Sequence, residues 1–324
     1  MDTLTSLLAH AKHPLVDIEA HCTIAQALEL MKTKHVTSLV IYGEKDYWLG
    51  AGNTSICLDK KQFIGLVSVL DIILFLASKN LEPSSFQFDE LVSSKRVVDL
   101  VGQNTESQSL WLGDTNAKLK FALEPMAKGI HRFLIPIYPP TESDAPHQYP
   151  KPVDFQLCSQ SDVVAQFAPL LFSDDRFKTL SESSISQFMS TNPKVVTRSD
   201  LVLPVLTSLA SLNIMAVPVV DSEGILADTL SVSDFRAVLE RDSLVQEIVK
   251  AVVSGLTVGE FLDVVGGGKR RVLKGVVMPN TLFGEAVTKV VHGRIHRLWV
   301  VDTGGIPVGV LSLGDMIGGI RQVL

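Results

Sequence analysis

The sequence predicts an α+β protein made of four copies of one strand, helix, strand, strand, helix unit, paired two by two. Three observations carry that expectation. A serine stands three residues ahead of an aspartate, at the end of a β-like run, in GLVSVLDII (Ser68, Asp71), QLCSQSDVV (Ser159, Asp162), DTLSVSDFR (Ser231, Asp234) and GVLSLGDMI (Ser312, Asp315). An amphipathic helical stripe and a short strand precede each of them at similar distance, which is the mark of internal repetition. The 324 residues exceed one core of ordinary size, so two domains are expected, 1–175 and 176–324, joined near 174–180, each pair of units holding one core.

The first unit, about 16–80, opens with a short strand followed by Ile24, Ala27, Leu28 and Met31 at the i, i+3, i+4, i+7 spacing of a helix that packs on a sheet. SLVIY (38–42) and FIGLVS (63–68) are its next strands, separated by an enlarged loop around WLGAGN, and Asp71 opens the closing helix. In the second unit, about 94–174, Leu119, Ala122, Leu123 and Met126 repeat the stripe and RFLIPIY (132–138) repeats the strand. Pro125 interrupts that helix, where a proline in a regular interior costs about 3 kcal/mol, so a kink or an early end is expected. The second hairpin is also enlarged, by the proline-rich PPTESDAPHQYPKP. The third unit, about 181–241, places Val195 and Val196 in a strand, Pro204 in a helix's first turn, then Val205, Leu206 and Leu209. Its hairpin, AVPVVD and ADTLS, closes through Ser222, Glu223 and Gly224. The fourth unit, about 256–324, matches it, with RLWVVD and PVGVLS flanking Thr303, Gly304 and Gly305.

Composition removes several function classes. A hydrophobic fraction of 46% with 20% charged residues describes a folded, water-soluble chain. IILFLA (72–77) and FAPLLF (167–172) are too short to cross a bilayer, and MDTLTSLLAHAKHPL lacks the basic start and cleavage site of a secretory signal. A cytoplasmic location, with the nucleus as a further one, is therefore expected, without membrane association. Cys22, Cys57 and Cys158 are widely spaced, with no Cys-x-x-Cys pair, and read as buried thiols, not as a disulfide framework or zinc site. A net charge of −6, from 29 basic and 35 acidic residues, argues against broad nucleic-acid binding.

The chemistry points to an anionic ligand. One Ser-x-x-Asp is explained by helix capping. Four in register favour a further role, since a carboxylate at a strand's C-terminal end accepts ribose hydroxyls, while serine hydroxyls and helix N–H groups receive a phosphate. Ser161 and Ser233 add a hydroxyl just before the aspartate in the second and third units, where Leu70 and Gly314 stand in the others, so the sites should differ in strength. GIHRFLIP (His131, Arg132) and RIHRLWVVD (His296, Arg297) place matched His-Arg pairs where a helix gives way to a strand, a plausible phosphate clamp in an acidic protein. Lys269, Arg270 and Arg271 after Gly266, Gly267 and Gly268 fail the Walker pattern and read as a flexible basic loop. His292 and His296 are separated by Gly293 and have no zincin glutamate, so no metal site is expected; no nucleophile elbow or kinase signature is present, and no catalytic residue or catalytic cofactor is assigned.

These units resemble cystathionine-β-synthase-type (CBS) motifs, which pair into Bateman modules, and the resemblance covers nearly the whole chain. IHR in the second and fourth motifs, and above all VHGRIHRLWVVDTGGIPVGVLSLGDMI, resembles the gamma regulatory subunits of AMP-activated and sucrose-nonfermenting protein kinases. WLGAGN, QSLWLGDTN and KGIHRFLIP are most similar to the plant gamma-like PV-type subfamily. The resemblance implies a non-catalytic regulatory subunit with AMP, ADP or ATP as ligand and protein kinase catalytic and beta-type subunits as partners; homodimerisation is an equal possibility. It also implies that Asp71, Asp162, Asp234 and Asp315 hold ribose. His131, Arg132, His296 and Arg297 would face phosphates, assisted by Ser159, Ser161, Ser231, Ser233 and Ser312. Thr37 and Ser161 stand where the animal subunits supply an arginine and a lysine, whereas Asp162 keeps a carboxylate they have lost. The alternative is a docking module that no longer binds nucleotide, and a third reading, an enzyme, would require turnover by the isolated chain.

Overall fold

A computed structural model describes residues 15–44, 57–58, 61–79, 85–103, 107, 110–113, 115, 117–138, 152–239, 250–267 and 273–324. The WLGAGN loop, the proline-rich hairpin up to residue 151 and the Lys269, Arg270, Arg271 segment lie outside the described residues. In the first unit the strand Asp17–Glu19 runs parallel to Ser38–Glu44, which pairs antiparallel with Lys61–Ser68. In the third, Val196–Thr197 is parallel to Ala216–Val220, which pairs antiparallel with Leu226–Ser231. The fourth repeats this with Val276–Val277, Arg297–Val301 and Pro307–Ser312, and gains Ser190–Thr191, lent by the lead-in to the third unit. The second unit is a pair of strands, Arg132–Ile137 and Asp154–Ser159, with Leu112 bridged parallel to Leu134 where the others have their first strand.

The helices follow their stripes. Ile24, Ala27, Leu28 and Met31 are all buried along Ile24–Lys34, and Thr23 opens that helix in a capping box with Gln26. Val205, Leu206 and Leu209 are buried along Val202–Leu212. Pro125 has the expected consequence: the second unit's helix divides into Leu119–Ala122 and Glu124–Ala127, with the proline in the first turn of the latter, where its missing N–H costs nothing. Cys158 is buried as expected, but Cys22 is only partly buried.

The apolar strands are buried on both faces, and their two-residue period sorts side chains between two kinds of core. Leu39 and Ile41 turn to the helices, whereas Val40 between them turns to the sheet of the second unit, meeting Leu134 and Phe155. Leu298 and Val300 turn to helices, whereas Trp299 and Val301 meet Ala216 and Leu226 of the third unit. Successive units therefore touch sheet to sheet. The expectation that each successive pair holds one core needs correction: the large helical cores join the first unit to the third and the second to the fourth. The reason is that each helix layer covers one side of its sheet, and its apolar outer stripe is buried largely by helices of the other pair. Among the described residues no helix is long and apolar enough to cross a membrane.

Candidate functional site: a cationic recess between repeated helix caps

All four Ser-x-x-Asp motifs cap a helix start, three of them with one geometry. The Asp71, Asp162 and Asp315 carboxylates each accept, through Oδ2, the backbone N–H of their serine at 2.8–2.9 Å and its hydroxyl at 2.5–2.6 Å. Asp234 accepts the Ser231 N–H at 2.8 Å. Each is a capping box at a helix start, so the structural role weighed from the sequence is present in all four units. The residue after each serine ties the helix start to the strand beside it, donating its N–H to the carbonyl of Thr37, His131, Met215 or His296 at 3.0–3.3 Å. Register completes the frame: Ser68 lies opposite Ser38, Ser159 opposite Arg132, Ser231 opposite Ala216 and Ser312 opposite Arg297. Cation and hydroxyl thus stand side by side in the second and fourth units only.

Burial separates the motifs further. Asp71 is 1% exposed and Asp234 8%, whereas Asp162 and Asp315 are half-buried, as are Ser159, Ser161 and Ser312. Every hydrogen bond that Asp162 and Asp315 accept among the described residues falls on Oδ2. Partial burial raises the pKa of Asp315 and its two Ser312 hydrogen bonds oppose the rise. Ser231 is buried, and its Oγ lies 2.8 Å from that of the exposed Ser233.

The two His-Arg pairs come together. His296 is pushed down to about 4 by its enclosure first, and then by Arg297, Arg132, Arg236 and His131 around it. Its side chain is nevertheless exposed to solvent, so the cationic cluster is open at His296. Arg297 is pushed down to about 10 by its enclosure, opposed by Asp234, and so stays charged at neutral pH. Gln160, at the start of the second unit's closing helix, donates Nε2 to the Met126 carbonyl at 2.8 Å. A Cβ on Gly314 of the fourth unit would lie 3.4 Å from both of those atoms, so the two helix starts abut. Sequence reasoning missed Arg236. Aligning the four motifs would have flagged it, because Ile73, Val164 and Ile317 hold its position elsewhere.

Residues 185–241 and 269–321 match the family described as CBS domain. The chain carries CBS domains in these two stretches, its third and fourth units. Its CBS fold extends over all four units, since a solved structure from Methanocaldococcus jannaschii, put forward as an archaeal homolog of g-AMPK, superposes with a TM-score of 0.64 at 18% identity, covering 98% of this chain and 99% of that one. Two Arabidopsis thaliana proteins named SNF1-related protein kinase regulatory subunit gamma-like, PV42a and PV42b, are each 27% identical to this CBS protein. The first alignment covers 96% of this chain and 92% of the relative, the second 97% and 93%.

Proposed function

We propose that this CBS protein is a non-catalytic regulatory subunit that binds AMP, ADP or ATP with its phosphates in the central recess and controls a SNF1-related or AMP-activated type of kinase complex in the cytoplasm or nucleus. The observation that carries the reading is the gathering of Arg132, His131, Arg297 and Arg236 around His296. Positive charges gathered in this way repel one another, and a phosphate turns that repulsion into attraction. Ser159 beside Arg132 and Ser312 beside Arg297 supply hydroxyls, and the half-buried Asp162 and Asp315 are the carboxylates best placed for ribose, ahead of the sealed Asp71 and Asp234. The two gamma-like relatives support the kinase assignment. Control follows by linkage: a nucleotide bridging the second and fourth units favours whichever assembly holds those units at the bridging distance.

The test is calorimetry of the full chain with the three nucleotides, alongside capture of kinase catalytic and beta-type subunits with and without AMP. Binding at or below millimolar concentration that is lost in the Arg132→Ala, Arg297→Ala double variant supports the proposal, and no binding at millimolar concentration rejects it. A docking-only reading is favoured by one specific observation, the commitment of all four aspartates to helix caps. Partner capture indifferent both to nucleotide and to Asp315→Ala would select it.

A further inference from the structure

Arg236 breaks the repeat in a way that the cap geometry explains. In the other three units the two residues after the aspartate are buried: Ile72 and Ile73, Val163 and Val164, Met316 and Ile317. In the third unit Phe235 is buried in the same way but Arg236 is exposed. The closing segment here begins with a 3-10 turn, Val232–Asp234, before the helix that starts at Phe235, whereas the other three units enter an α-helix directly. The Ser231 hydroxyl accepts the Ser233 N–H at 3.3 Å and donates to the Met215 carbonyl at 3.2 Å. A turn of about three residues in place of 3.6 rotates the helix that it leads into, so the position that elsewhere enters the core turns outward. Arg236 makes no hydrogen bond or ion pair among the described residues, and its charge is felt at His296.

The third unit is otherwise the neutral neighbour of the recess. Met215 and Ala216 stand where the second and fourth units have their His-Arg pairs. Its helix nevertheless ends against the second unit's approach to His131, since a Cβ on Gly129 would lie 3.2 Å from Asn213 Nδ2. We propose that Arg236 is a phosphate-binding residue that selects among nucleotides by phosphate number, reaching from the third unit to the terminal phosphates of a nucleoside polyphosphate. This rests on the reading of the recess as a phosphate site. Arg297 is half-buried and lies in register with Ser312, which suits the inner phosphate, whereas Arg236 is exposed and so suits the outer, more solvated phosphates of the same chain. It also supplies a cation in a chain where Thr37 and Ser161 supply none.

The experiment is calorimetry of the full-length wild type, Arg236→Ala and Arg236→Lys with AMP, ADP, ATP and inorganic tripolyphosphate. Loss of one charge-assisted contact should weaken ATP and tripolyphosphate by about tenfold and AMP by less than about threefold, with Arg236→Lys recovering part of the difference. Equal affinities for wild type and Arg236→Ala, or an equal loss for AMP and ATP, overturns the selection role. A wild type that binds tripolyphosphate through Arg236 but no nucleotide retains the phosphate contact and rejects the adenine nucleotide reading. A wild type that binds neither rejects both. An unchanged urea midpoint for Arg236→Ala, expected for an exposed side chain, confirms that binding alone is altered.

Discussion

At the scale of single residues, one side chain serves two ends. Ser159 and Ser312 each cap a helix and stand beside an arginine of the cationic cluster, so their removal should cost stability even without ligand. Ser312→Ala takes away the hydroxyl that Asp315 Oδ2 accepts at 2.6 Å, and a lost N-cap costs about 1 kcal/mol, measurable as a lower urea midpoint. His296 gives a pH signature. Its folded pKa, near 4, lies below the ordinary 6.5, so between those values the unfolded chain takes up a proton that the folded chain refuses. Stability from this group is complete above pH 6.5 and is lost as pH falls towards 4. The midpoint measured at about pH 5 and about pH 7 should therefore differ less in His296→Asn than in the wild type. A bound phosphate leaves the enclosure in place but offsets the repulsion from the neighbouring arginines, so nucleotide binding near about pH 5.5 should take up a proton, seen as calorimetric heats that depend on the buffer's ionisation enthalpy. The titratable and charged neighbours that shape this response are Arg297, Arg132, Arg236 and His131.

At the scale of elements, the helix ends repeat as faithfully as the helix starts. The helices Ile24–Lys34, Val202–Leu212 and Phe283–Gly293 all stop at a left-handed residue, His35, Asn213 and Arg294, and Gly129 holds the same place with φ of 101° in the second unit. A non-glycine residue there carries about 1 kcal/mol of steric cost, so Arg294→Gly should raise the thermal midpoint while Gly129→Ala lowers it. Much of this level was legible. Ile24, Ala27, Leu28 and Met31 declared their helix by spacing, Pro125 declared its break, and the Ser-x-x-Asp boxes declared the helix starts. The 3-10 entry to Phe235 was not legible, because DTLSVSDFR has the same Ser-x-x-Asp spacing as its three counterparts. Only the placement of the Ser231 hydroxyl, on the Ser233 N–H and the Met215 carbonyl, shows the tighter turn that exposes Arg236.

At the scale of the molecule, stability depends on contacts between distant units. Leu206 of the third unit is fully buried in a core shared with Ile72 and Ile73 of the first, so Leu206→Ala should cost about 2–5 kcal/mol by opening a cavity there. Residues 1–175 and 176–324 expressed apart would each expose half of both large cores, and soluble, cooperatively unfolding protein is expected when the halves are co-expressed. Independent cooperative folding of either half, followed by circular dichroism during melting, would contradict that architecture. Across the sheet-to-sheet contact, Trp299 Nε1 donates to Thr229 Oγ1 at 2.7 Å, a smaller link of about 1 kcal/mol that Trp299→Phe removes. The sequence by itself determined the repeated unit, its strand and helix order, the capping boxes and the two His-Arg pairs, because these depend on neighbours within a few residues and on the periods of about 2 and 3.6. Tertiary structure alone decided which units share a core, which aspartates are sealed, and that the His-Arg pairs come together with Arg236 near enough for its charge to act on His296. Four similar apolar stripes are nearly interchangeable as sequence, and only the packing of whole helices against one another chooses among their pairings.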